Sequence, residues 1–137
     1  MRKPGAEMTA SPEWVWRKYR CKKKPLPFVD LIHNEVIPET LAAGDEINHR
    51  FIYVMCPEQA TQVMTGTLYR SFFSKGEMIF EHEIENFELS PGRWIIDALV
   101  TIPAQADPGV YSIRISFSAP DPIFEKDIPF SVYKNKP

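Results

Sequence analysis

Thirteen prolines against six glycines, spread over 137 residues, limit what this chain can fold into. Proline has no backbone N–H, so it breaks helix interiors and is barred from the middle of a sheet. That leaves short strands joined by turns, and from Pro25 onward brief apolar segments do alternate with turn residues. Phe28–Ile32 runs weakly on to Val36 and Ile37 and stops at Pro38, as an edge strand would. After Ala42-Ala43-Gly44-Asp45 comes a strand from Ile47 to Cys56 that is apolar on both parities, which predicts a central position. Phe51, Tyr53 and Met55 occupy one parity, and Ile52, Val54 and Cys56 the other. Thr61–Phe73 follows, with Gly66 marking a bulge or a close backbone approach. Ser74-Lys75-Gly76 reads as a hairpin turn, and the strand after it sets Met78, Phe80, His82 and Ile84 against Glu81, Glu83 and Glu85. One face of that strand is expected in the core and the other in water. Trp94, Ile96, Ala98, Val100 and Ile102 share a parity, and Tyr111, Ile113, Ile115 and Phe117 form another inward row. Phe124, Ile128, Phe130 and Val132 end the pattern, with Pro129 marking an edge strand or a bulge. Seven or eight strands at this spacing predict an all-β, two-sheet antiparallel sandwich over residues 26–137, with a closed barrel or jelly roll as the competing architecture.

Residues 1–25 differ in kind: they carry Arg2, Lys3, Arg17, Lys18, Arg20, Lys22, Lys23 and Lys24 and show no alternation. They read as a basic aromatic arm whose order the pattern leaves open. Within it, the stretch from Trp14 to Lys24 mixes Trp14, Trp16 and Tyr19 with six cations. Such a mixture suits stacking on bases and tracking phosphates, or an anionic membrane interface. The plainer expectation is that Trp14 and Trp16 pack on the sandwich edge while the lysines stay solvated. Ser11-Pro12-Glu13 supplies an N-cap and a first-turn proline for a short helix. A formal net charge of −2 argues against nonspecific nucleic-acid binding by the whole domain, so any basic surface must be local. No apolar run has the length of a secretory leader or a membrane span, which makes the cytoplasm the default compartment unless the chain is a piece of an exported protein.

Reactive constellations are scarce. In Glu81-His82-Glu83-Ile84-Glu85, strand alternation sends the histidine to one face and the glutamates to the other, so the glutamates read as a solvated ridge and His82 as a core or rim residue. His33 and His49 fall on different strands, and His33-Asn34-Glu35 lacks zinc-ligand spacing. There is no Gly-x-Ser-x-Gly elbow, phosphate loop or dinucleotide fingerprint. The expectation is therefore a noncatalytic module with no cofactor and no metal, binding a protein partner or a second copy of itself. Tyr53, Tyr69, Phe72, Phe73 and Trp94 supply the rings for the alternative, a platform that stacks carbohydrate. Cys21 and Cys56 do not make a disulfide framework; Cys56 is expected as a small buried hydrophobe and Cys21 as an exposed bystander, with a structural bridge between them as the alternative.

The stretch Ile102-Pro103-Ala104-Gln105-Ala106-Asp107-Pro108-Gly109-Val110-Tyr111-Ser112-Ile113 resembles a strand junction of immunoglobulin-like and fibronectin type III domains. There an Asp-x-Gly-x-Tyr run forms a tyrosine corner, whose hydroxyl bonds back to the loop where the chain crosses between sheets. The resemblance implies an immunoglobulin-like sandwich with Asp107, Gly109 and Tyr111 in those places. The cysteine that follows the tyrosine in that family is Ile113 here, which implies no intersheet disulfide and an unpaired Cys56. Gly44-Asp45 before a long strand and Phe73-Ser74-Lys75-Gly76 at a hairpin also resemble accessory sandwich modules of bacterial proteins, polysaccharide-binding ones among them. Folds of this kind host many activities, so the resemblance alone assigns none.

Overall fold

The structure, a computed structural model, describes residues 2–134; positions 135–137 of the expected sandwich lie outside them. Among the described residues, nine strands form two sheets. β1 (Gly5–Ala10), β2 (Phe28–Ile37), β4 (Glu46–Cys56) and β7 (Gly92–Thr101) make one, in the order β1-β7-β4-β2. β3 (Thr40–Ala42), β5 (Met64–Ser74), β6 (Glu77–Leu89), β8 (Gly109–Ser118) and β9 (Pro122–Tyr133) make the other, in the order β3-β9-β8-β5-β6. All pairings are antiparallel except β3 with β9. The protein is an all-β sandwich.

The core sits between the sheets in two adjoining clusters. One gathers Leu31, Phe51, Tyr53, Met55, Leu68 and Phe117; the other gathers Val36, Ile47, Phe72, Ile113, Phe130 and Val132. The inward row of β8 is buried at Tyr111, Ile113, Ile115 and Phe117, as its alternation predicts. β4 is central, hydrogen-bonded to β2 and β7, and both of its faces are covered. Phe51, Tyr53 and Met55 face the other sheet, while Val54 and Cys56 pack against Val15 of a short helix, α1 (Pro12–Lys18), and against Cys21 beyond its end.

Strand β1 and helix α1, both before residue 26, thus pack as parts of the sandwich. β1 pairs with β7 from Gly5↔Asp97 to Ala10↔Arg93, and α1 then crosses the outer face of the same sheet. Ser11 caps the helix by accepting a hydrogen bond from Trp14 N at 3.1 Å, and Pro12 stands in its first turn. In the β5–β6 hairpin, Lys75 and Gly76 both have positive φ, 53° and 81°, the paired left-handed residues of a type I′ turn. Gly66 combines both meanings its position suggested. The β5–β6 register shifts beside it, and a Cβ there would meet the backbone oxygen of Ser118 and sit 2.8 Å from Phe117 Cζ. Pro129 lies opposite Ser112 of β8, in the part of β9 that β3 leaves uncovered.

Candidate functional site

The N-terminal turn is the most distinctive surface. Helix α1 buries Val15 and leaves Trp14 42% exposed. Arg20 then takes a left-handed conformation (φ 51°) that reverses the chain into η1, a 3₁₀ turn over Cys21–Lys23. This reversal brings Cys21 to 5.5 Å from Cys56, Cα to Cα, and the two form a disulfide, both fully buried. The expected exposed Cys21 and unpaired Cys56 are corrected by that geometry: the left-handed residue folds a polar segment back over the apolar end of β4. Arg17, Lys18, Arg20, Lys22 and Lys23 remain exposed, and Lys24 is half-buried with its ammonium 4.6 Å from the centre of the Phe28 ring. Trp16 is half-buried and, with Pro12, Arg17, Pro57 and Glu58, lines an open groove of about 500 Å³.

A second feature lies inside the sandwich. Arg70 of β5 is 2% exposed and donates from Nε to His49 Nδ1 at 2.9 Å; His49 Nε2 lies 2.6 Å from Asn34 Oδ1. This arrangement fixes a neutral tautomer, in which Nε2–H donates to Asn34 and Nδ1 accepts from Arg70. Burial, reinforced by the Arg70 charge, pushes the His49 pKa down to about 3, and burial lowers that of Arg70 to about 10. Among the described residues, Asn34 Nδ2 has no hydrogen-bond partner. Sequence reasoning overlooked the network, though the signal existed: Arg70 shares a parity with Leu68 and Phe72 in a strand whose row turns inward.

Other polar groups are held in pairs. Arg50 forms a two-pronged ion pair with Asp97 at 2.8 and 2.9 Å, which holds the Asp97 carboxyl below its usual range. Arg114 meets Asp127 on the outer face of the second sheet and lies 4.6 Å from the Phe73 ring centre. Arg2 reaches Glu35 and lowers its pKa. The Tyr53 hydroxyl accepts from Ser90 N, and burial pushes its pKa to about 12.

Tyr111 donates its hydroxyl to Asp107 O at 2.6 Å, where the chain leaves β7 in one sheet for β8 in the other. The rings considered for a carbohydrate platform are spread over the fold, with Tyr69 half-buried on β5. Tyr53 and Phe72 are buried in different core clusters, Trp94 donates its indole N–H to Pro91 O, and Arg114 lies over Phe73. His82 is exposed, a rim position rather than core: β6 is the sheet margin, and the four-stranded sheet does not cover its middle.

An all-β sandwich with a disulfide-tied cationic turn on its outer face is what the geometry defines. No protein-family model matches the chain, and no curated protein does. Similar solved structures exist at low identity. The alkylpurine DNA glycosylase AlkC of Pseudomonas fluorescens, bound to DNA containing an abasic site analog, superposes with a TM-score of 0.57 at 14% identity over 79% of this chain. A β-glucosidase from Listeria innocua in complex with glucose gives 0.54 at 11% identity over 81%, and a family 123 glycoside hydrolase from Clostridium perfringens gives 0.50 at 16% over 96%. The match spans only 31%, 17% and 27% of those respective chains, so the likeness is one of fold within part of each.

Proposed function

We propose that the protein is a noncatalytic interaction module on an immunoglobulin-type sandwich, and that it self-associates by pairing β1 of one copy with β1 of another. The observation that carries this reading is the open edge of β1. Sheet margins are normally protected by charge, bulges or brevity. Of the marginal strands, β6 carries five glutamates, β3 is three residues long, and β2 is broken by a register shift between Leu31 and His33. β1, Gly-Ala-Glu-Met-Thr-Ala, has one charged residue and a register shift confined to its end, between Met8 and Ala10; among the described residues it pairs with β7 alone, and Met8 is 48% exposed. Two copies related by a two-fold axis would join their four-stranded sheets into one of eight strands. The immunoglobulin-type assignment is supported by the Tyr111–Asp107 corner at the sheet crossing.

Sedimentation velocity across a concentration series tests the proposal. Dimers that form with rising concentration and vanish in the double variant Ala6→Lys/Met8→Lys, with an unchanged circular-dichroism spectrum, support it. A protein that stays monomeric at high concentration, or a double variant that dimerises as well as the parent, rejects it.

A further inference from the structure

Six of the sixteen Lys and Arg fall within residues 17–24, a stretch with no acidic residue. Elsewhere Arg2, Arg50 and Arg114 face carboxylates, whereas among the described residues none of these six forms an ion pair. Their backbone is already fixed. Lys23 N donates to Arg20 O at 2.9 Å, Lys24 N donates to Cys21 O at 3.0 Å, and Cys21 is bonded to Cys56. Binding an anionic surface here would cost little ordering of the chain. Trp14 stands exposed on α1 with Arg17 and Lys18 three and four residues on, so the indole and two cations share one side of the helix.

We propose that this α1–η1 turn docks the protein onto an anionic lipid bilayer, the cations meeting headgroup phosphates and carboxylates while Trp14 enters the interface. An exposed indole beside Lys and Arg is the arrangement favoured at membrane–water boundaries, and each cation near a negatively charged leaflet adds to the attraction. A nucleic-acid strand is the less suited polyanion, because stacking successive bases uses several open rings. Here Tyr19 packs edge-on against Trp14, and Trp16 is half-buried in its groove. The charge layout also orients the molecule. The turn lies on the outer face of the four-stranded sheet, while the five glutamates of β6 occupy the margin of the other sheet. An anionic surface attracts the first region and repels the second.

Co-sedimentation of the full chain with phosphatidylcholine vesicles, with mixed phosphatidylcholine–phosphatidylserine vesicles, and separately with a single-stranded oligonucleotide provides the test. Retention by the phosphatidylserine vesicles alone is expected, weakening as salt is raised. Lys22→Glu/Lys23→Glu should lose at least about tenfold in affinity, since two exposed cations become repulsive. Lys75→Glu, on the distant β5–β6 turn, should bind as the parent does. Tryptophan emission should shift to the blue on the anionic vesicles, and Trp14→Phe should abolish the shift. Failure to bind the anionic vesicles, equal binding to both vesicle types, preference for the oligonucleotide, or indifference to the Lys22/Lys23 reversal in a variant that still folds would each overturn the proposal.

Discussion

At the scale of single residues, the Asn34–His49–Arg70 line is the most consequential arrangement. Protonating His49 would place an N–H against the Arg70 N–H inside an apolar core, so the native state resists the proton until about pH 3 while the unfolded chain accepts it near 6.5. A depressed pKa of this kind contributes stability that is fully present above 6.5 and is lost as pH falls toward 3. Between pH 7 and pH 5 the loss should be about 2 kcal/mol, readable as a fall in the urea midpoint. The window is selective, because the lowered carboxyls of Glu35 and Asp97 matter only below their ordinary values of 4.5 and 3.8. His49→Gln keeps an acceptor for Arg70 and a donor for Asn34 but cannot titrate, so its midpoint should stay flat over that range. A variant as acid-sensitive as the parent would place the cause elsewhere.

Among the elements, α1 and β4 depend on one another. The Cys21–Cys56 bridge closes a loop of 35 positions, and removing it with Cys21→Ala/Cys56→Ala should cost about 3–4 kcal/mol through the unfolded chain's regained freedom. Equal thermal midpoints for parent and variant would contradict that. The same pair shows where sequence reading succeeds and where it stops. β7 and β8 were legible because half-buried strands write their burial in period two, β4 because both of its parities are apolar, and Ser11-Pro12 announced its helix through capping chemistry. β1 was not legible: an exposed marginal strand has no buried face and hence no alternation. The apolar second parity of β4 was visible, but its covering partner, Val15 on a segment otherwise rich in cations, was not. The bridge stood only as the alternative for a related reason, since pairing depends on a left-handed turn at Arg20 that nothing in an arginine predicts. Of the residues singled out in the cationic turn, Trp14, Arg17, Lys18, Arg20, Lys22 and Lys23 are exposed, Trp16 is half-buried, and Lys24 is drawn onto Phe28.

For the molecule as a whole, the segment from β1 through η1 is structural. Deleting everything before Pro25 would remove a strand from the four-stranded sheet and open Val54 and Cys56 to water. The shortened chain should show weak tertiary circular dichroism and no cooperative melt, whereas a parent-like melt would demonstrate that the segment is dispensable. The pairing scheme bears equally on how the fold is reached. β1 finds its partner only at β7, and β3 only at β9, so each must wait for sequence far downstream. During synthesis, β1 remains without its partner until β7 has left the ribosome, and β3 until β9 has. Such distant pairings slow the search for the native state, toward folding times on the order of milliseconds to seconds. Throughout that interval the apolar side of the nascent sheet is open to chaperones and to neighbouring chains.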